Sequence, residues 1–284
     1  MAALAEELDL PYLRGWIGRE EEQRTRIDAE LVARFHACLG IGVGLPQQGD
    51  PVPPLFHFCL ATPLAPTAEL GRDGHPPKSG FLPPVPLSRR MWAGGSLRFH
   101  RDLRVGDSAR RLSRIEDVKF KQGGSGPLCF VTVAHSIDVD GDPAVDEQQT
   151  IVYRGETPRE RIGGPVPIEV GQHRKQIEAS PVLLFRCSAI TFNGHRIHYD
   201  RQYATEVEGY PSLVVHGPLQ ATWLLSYAAE LRGRPPSKFA FRSLSPLFEG
   251  TPIVLHADRD GARMKLWTAT ECGPVATVAD AEWH

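Results

Sequence analysis

Between residues 25 and 39 apolar side chains recur every fourth position: Ile27, Leu31, Phe35 and Leu39, with Val32 widening the stripe. This period predicts an amphipathic helix stopped by Gly40 and Gly42. The pattern then lapses. Residues 45–90 are rich in Pro and Gly, and a connection this long is expected to cover a surface or serve a function. Phe56, Phe58, Phe81, Leu82 and Trp92 give it apolar anchors, so it is expected to be ordered. From Leu97 onward the period shortens to two. Alternation over residues 97–99, 110–122, 128–138 and 149–154 predicts strands, separated by Gly-rich turns. Residues 155–172 read as a linker.

The second half repeats this grammar. Ser180-Pro181 opens a helix over residues 182–189, serine as cap and proline at the first position. Residues 213–215 form a short apolar strand. Residues 218–232 predict a helix that is apolar nearly all round, hence buried, with Gly233 as its stop. Strands follow at 239–243, 252–259, 262–270 and 275–283. Phe99…Leu103-Arg-Val-Gly-Asp107 echoes Phe241…Leu247-Phe-Glu-Gly-Thr251, which suggests two copies of one helix-plus-antiparallel-sheet unit.

Composition narrows the function classes. The chain has 284 residues, 41% of them hydrophobic, enough for one large or two ordinary domains. A formal net charge of -2 gives no long-range attraction for nucleic acid or an anionic membrane surface. No window approaches the roughly 18–20 apolar residues of a membrane helix. The N-terminus has no signal-peptide pattern. Five scattered cysteines without Cys-x-x-Cys argue against a disulfide framework or a thiolate zinc site. The expectation is a cytoplasmic protein.

The chemistry is concentrated in Thr191-Phe-Asn-Gly-His-Arg-Ile-His-Tyr-Asp200, followed by Leu213-Val-Val-His-Gly-Pro-Leu-Gln220. A histidine-rich loop, a strand and then a helix N-terminus suit acid–base chemistry on a carbonyl compound. Imidazole titrates near neutrality, and a helix start offers unpaired N–H groups. His195, His198 and His216 could instead hold a metal, but no carboxylate or cysteine stands at ligand spacing, so none is expected. Asp200 and Tyr203 read as cap and packing groups.

These strings resemble the MaoC-like (R)-specific enoyl-CoA hydratases, whose loop runs Asp-x-Asn-Pro-x-His. Asp73-Gly-His75, Phe81-Leu-Pro-Pro-Val-Pro86 and Arg89-Arg-Met-Trp-Ala-Gly-Gly95 extend the resemblance to the two-domain subfamily. It includes mesaconyl-C4-CoA hydratase, itaconyl-CoA hydratase and hydroxyacyl-thioester dehydratase type 2. The resemblance implies an α+β double hot-dog fold, two antiparallel curved sheets each wrapped around a long helix. Residues 1–160 would form an N-terminal half lacking the catalytic string, and residues 161–284 the catalytic half. It further implies a lyase that hydrates an α,β-unsaturated acyl-CoA, or dehydrates the 3-hydroxyacyl form, without a cofactor. The first expectation for the acyl group is a short branched dicarboxylic one, mesaconyl or itaconyl. The alternative is an ordinary 3-hydroxyacyl chain on CoA or acyl-carrier protein. A thioesterase would want a carboxylate that Asn193 does not supply, and intact His198 argues against a non-catalytic acyl-CoA-binding subunit.

One departure matters. Where the family string begins with Asp, this chain has Asn193. An amide cannot be a general base, so the acid–base work falls to His198, with Asn193 orienting water or substrate. The Gly217 N–H, at the start of the buried helix, is expected to face the thioester oxygen. His195, Arg196, Arg89, Arg90, Trp92 and His216 are the candidates for contacting substrate. Arg201 joins the arginines that could grip a phosphate or carboxylate. A chain carrying both halves leaves a monomer and a homodimer equally open.

Overall fold

The computed structural model describes residues 9–42, 44–78, 80–123, 126–155 and 168–284. A short helix α1 (Leu10–Arg14) leads to β1 (Glu20–Arg26) and α2 (Ala29–Leu39). Then come β2 (Arg89–Phe99), β3 (Ser108–Gly123), β4 (Gly126–Val139) and β5 (Asp142–Arg154). The second half contains β6 (His173–Ile177), α3 (Pro181–Ile190), α4 (Gly217–Arg232), β7 (Lys238–Ser243), β8 (Ile253–Asp260), β9 (Arg263–Thr270) and β10 (Val275–Glu282). The expected linker falls largely on residues 156–167, outside the described residues, as does the boundary between 160 and 161.

All ten strands share one antiparallel sheet, ordered β1-β3-β4-β5-β2-β7-β10-β9-β8-β6. Read inward from either edge, each half runs first, third, fourth, fifth, second. The second strands of the two halves, β2 and β7, meet at the centre with Gly94 opposite Arg242 and Leu97 opposite Phe239. Two glycines let β2 fit between its neighbours, Gly94 against β7 at the seam and Gly95 against β5. A Cβ on Gly94 would lie 2.4 Å from the Phe241 carbonyl oxygen, and one on Gly95 would lie 3.0 Å from that of Gln148. The echoed segments near Leu103 and Leu247 occupy equivalent β2–β3 and β7–β8 connections.

The helix expected from residue 25 starts later. The Asp28 carboxylate accepts from the N–H groups of Glu30 (2.9 Å) and Leu31 (3.1 Å), which fixes the first turn at Ala29. Thr25 and Arg26 are instead extended in β1, paired with Ala109 and Ser108 of β3. Gly40, at φ 68°, ends the helix as expected. Two strands were not foreseen, β1 (Glu-Glu-Glu-Gln-Arg-Thr-Arg) and β6 (His-Arg-Lys-Gln-Ile). Both are edges of the sheet and almost wholly polar. Such charge discourages edge-to-edge pairing with another molecule and also hides the strand from an apolar pattern.

The main core gathers around α4, where Leu219, Ala221, Leu224, Leu225 and Ala228 are buried against residues of both halves. Gln220 ties the helix to the sheet: its Oε1 accepts from the hydroxyls of Thr268 (2.7 Å) and Thr277 (2.9 Å). The N-terminal half buries Ile115, Val118, Val131 and Tyr153 under Leu13, Val85 and Leu87. Phe56 is fully buried, and the long connection is anchored as its aromatic residues suggested.

Candidate active site

The histidine-rich string hangs between α3 and α4. Ser180 caps α3 by accepting from the Leu183 N–H (3.2 Å). At its other end Phe192 adopts a left-handed φ of 50°, and the Asn193 N–H bonds to the Ser188 carbonyl (2.8 Å). These contacts reverse the chain into a 3-10 turn at Arg196–His198. The Asn193 Oδ1 accepts from the His195 N–H (3.0 Å), which shapes the loop and leaves its second lone pair and its NH2 group unused by that bond.

His198 is buried, and its Nδ1 lies 2.8 Å from the Val214 carbonyl oxygen. A carbonyl can only accept, so Nδ1 carries the hydrogen and Nε2 keeps its lone pair. No hydrogen bond among the described residues engages that Nε2. Burial, then the neighbouring His195, pulls the His198 pKa from 6.5 to about 3, which keeps the ring neutral. His216 stacks on His198 with centroids 3.6 Å apart, and its Nε2 lies 2.9 Å from the Ser188 hydroxyl. Burial, then His198, holds it well below the ordinary value. His216 thus backs the His198 ring as a packing group.

Gly217 begins α4, and no described partner accepts its N–H. A Cβ there would stand 3.2 Å from the Ser243 hydroxyl and 3.6 Å from the Trp92 carbonyl oxygen. The Ser243 Oγ is buried without a hydrogen-bond partner. An unpaired helix-terminal N–H beside a lone hydroxyl is suited to an oxygen that gains negative charge. Trp92 closes this side of the site, its ring 4.7 Å from Phe58 and its Nε1 bonded to the Gly94 carbonyl (2.9 Å). Beside Pro218 and Leu219 lies an apolar cavity of ≈ 20 Å³, also lined by Phe35, Phe58 and Ile190.

The arginines separate sharply. Arg89 pairs with Glu208 (3.0 Å). Arg196 grips Asp200 through Nε (3.0 Å) and Nη2 (2.7 Å), lies 4.2 Å over the Tyr203 ring and donates to the Arg72 carbonyl. Arg201 pairs with Glu249. Arg90 has no carboxylate partner among the described residues, and its charge depresses the pKa values of both His75 and His195. Its guanidinium also meets the buried Tyr153 hydroxyl, so of the four it alone is engaged by a neutral group and not by a carboxylate. Asp200 caps the turn at the Tyr203 N–H (3.0 Å), as expected.

Sequence spacing gave no sign of a carboxylate near these histidines, yet Asp73 is there, brought by the long connection of the first half. The donor atoms of Asp73, His75 and His195 lie within 4.8 Å of one another. The Asp73 carboxylate is 2.8 Å from His75 Nδ1, and the His75 ring is 4.2 Å from that of His195. His195 in turn meets His198 edge-on at 5.3 Å. Burial, then His75, depresses the His195 pKa to about 3. Asp73 and His75 fell inside a matched segment but had been assigned no role. Their Asp-x-His spacing is the only local signal.

The family model for hydroxyacyl-thioester dehydratase type 2 matches residues 55–249. The mesaconyl-C(4)-CoA hydratase of Chloroflexus aurantiacus is 43% identical over 271 residues, covering 94% of this chain and 96% of that one. Among solved structures, a MaoC-like dehydratase from Phytophthora capsici superposes with a TM-score of 0.71 at 16% identity, covering 98% of each chain. A Mycobacterium tuberculosis protein with a double hotdog fold gives 0.54 at 13% identity, covering 94% of this chain and 96% of that one. The fold is therefore the double hot dog.

Proposed function

The chain belongs to the hydroxyacyl-thioester dehydratase type 2 family, and on that premise we propose a hydro-lyase that adds water across the double bond of a short dicarboxylic enoyl-CoA. The substrate named in its 43%-identical relative, mesaconyl-C4-CoA, is the first choice. The observation that carries the reading is the buried, neutral His198. Its Nδ1 is spent on Val214, which leaves Nε2 as a base within the same site as the unpaired Gly217 N–H.

His198 Nε2 removes a proton from water as the water oxygen bonds to C3. The π electrons move toward the thioester, whose oxygen is held by the Gly217 N–H, with the Ser243 hydroxyl as a second donor. His198 then returns the proton to C2, and nothing else is consumed. Burial keeps the ring unprotonated, so its lone pair is open at neutral pH, and the proton it takes from water passes on to C2 in the same reaction.

The acyl end is read from charge and room. Arg90 is the cation for a free substrate carboxylate, while Arg89 and Arg196 position the loops around it. The small apolar cavity beside Pro218 is room that a methyl branch could use. His195, Trp92 and His216 form walls, and Asn193 keeps the loop in shape.

We assign the half that carries the histidine string to residues 161–284 and the half that lacks it to residues 1–160. Five unpaired cysteines support a reducing compartment, the cytoplasm. The shared sheet already supplies the pairing that two single units would need, so any homodimer would use another face.

The test follows loss of enoyl-thioester absorbance with mesaconyl-C4-CoA, itaconyl-CoA and crotonyl-CoA, with His198→Ala as control. Rapid loss with a dicarboxylic substrate, CoA still esterified and the variant inactive, is expected. Turnover of crotonyl-CoA alone would move the substrate to fatty-acyl chains. Release of free CoA would replace hydration with thioester hydrolysis.

A further inference from the structure

Three observations bear on the place left by Asn193. First, the neutral Asn193 amide cannot take a proton as an aspartate would, and its Oδ1 already accepts the His195 N–H. Second, a carboxylate–imidazole pair stands nearby on the connection from the other half. Asp73 Oδ2 lies 2.8 Å from His75 Nδ1, and Asp73 Oδ1 takes the His75 N–H at 3.0 Å. The carboxylate can only accept, so His75 Nδ1 holds the hydrogen and its Nε2 keeps a lone pair. Third, this connection is built onto the catalytic loop. The Arg196 N–H donates to the Asp73 carbonyl (2.9 Å), and the Arg196 guanidinium donates to that of Arg72 (3.2 Å). Gly74 and Gly194 approach so closely that a Cβ on Gly74 would fall 1.9 Å from the Gly194 carbonyl oxygen. The His75 side chain is still 20% exposed, so small molecules can reach it.

We propose that Asp73 and His75 together take the place of the aspartate missing at position 193: His75 Nε2 accepts one hydrogen of the attacking water and aims its oxygen, while His198 removes the other. This inference rests on the hydro-lyase reading. The O–H bond facing His198 breaks, the O–C3 bond forms, and the π pair passes to the thioester enolate. His198 gives its proton to C2. The hydrogen bonded to His75 stays on the oxygen and becomes that of the product hydroxyl, so His75 remains neutral throughout. His75 is thus a catalytic residue that touches the reacting water, and Asp73 is a positioning residue that fixes its tautomer.

A divalent cation held by Asp73, His75 and His195 is the competing use of the same groups. Arg90 and Lys78 oppose it, since both add positive charge at His75. A proton already bridges Asp73 and His75 Nδ1 at 2.8 Å.

The experiment compares kcat and KM for wild type, His75→Leu, His75→Gln and Asp73→Asn on the thioester that wild type turns over. A loss in kcat on the order of 100-fold is expected for His75→Leu with KM within about threefold. Partial recovery is expected in His75→Gln, whose amide oxygen can still accept from water, and an intermediate loss in Asp73→Asn. Urea midpoints establish that each variant is folded. An active wild type with a near-normal His75→Leu overturns this inference and leaves the hydro-lyase reading intact. An inactive wild type overturns the reading itself. Activity abolished by EDTA and restored by zinc would replace the water-holding pair with a metal site.

Discussion

Replacing His198 with Asn separates the ring's packing from its charge. The Asn amide can still donate to the Val214 carbonyl, as Nδ1 does at 2.8 Å, but it does not titrate. Burial, then the charge of His195, lowers the folded-state pKa of His198 from 6.5 to about 3. His216 stacks on one face and His195 meets its edge, both also held neutral, and Asp73 acts on His195 without appearing among the influences on His198 itself. The sign follows directly. The unfolded chain takes up a proton below pH 6.5 and the folded chain does not, so stability falls with pH through the window from 6.5 to about 3. Each unit below 6.5 costs about 1.4 kcal/mol, and at pH 5 the His198 contribution is about 2 kcal/mol. Urea denaturation at pH 7.5 and pH 5 measures it, by comparing wild type with His198→Asn. Wild type should lose about 2 kcal/mol more than the variant between these two pH values. Equal losses would refute the claim that burial holds His198 neutral, and with it the assignment of a ready base.

Arg90→Gln should raise KM for the dicarboxylic thioester by roughly 10- to 100-fold, the worth of a charge-assisted bond, while crotonyl-CoA turnover changes little. Equal effects on both substrates would place Arg90 at the CoA moiety or in the fold. Gly74→Ala puts a Cβ on the Gly194 carbonyl at a φ of +86°. It should destabilise the protein by about 1–3 kcal/mol in urea titrations and lower kcat by parting the two loops. Gly217→Ala brings its methyl to 3.2 Å from the Ser243 hydroxyl. A kcat loss of roughly 10- to 100-fold is expected, and adding Ser243→Ala should deepen it, because the second donor to the thioester oxygen goes with the hydroxyl. Full recovery in the double variant would show that Ser243 only obstructs the added methyl and donates nothing.

Much of the catalytic half was legible because its signals are local. Ser180-Pro181, Gly233 and the all-round apolar face of residues 218–232 each act within one element, and α3 and α4 stand within a residue or two of expectation. The four strands that follow alternate on one buried face and were readable for the same reason. What escaped depends on partners far along the chain. Strand β1 has no apolar stripe because it closes an edge, and only its pairing with β3 makes it a strand. The start of α2 was misplaced because Ile27 continues the helical period, while its N–H is committed to the Asp107 carbonyl (2.8 Å). In the site, the string from Asn193 to His198 pointed to the histidine proposed here as the base. It could not show that the Asn193 oxygen is turned inward on its own loop, or that Asp73 arrives from the opposite half.

The seam between β2 and β7 fuses into one polypeptide what would otherwise be two copies of a subunit. In a symmetric pair every substitution appears twice, so a residue that supports the site from one side must be tolerated at the mirrored place on the other. Here Asp73 and His75 sit in one half and His198 in the other, and neither has to serve in both positions. The two halves have been free to specialise separately. One chain then carries one reaction centre, and titration with a tight-binding substrate analogue should saturate at a single equivalent per polypeptide.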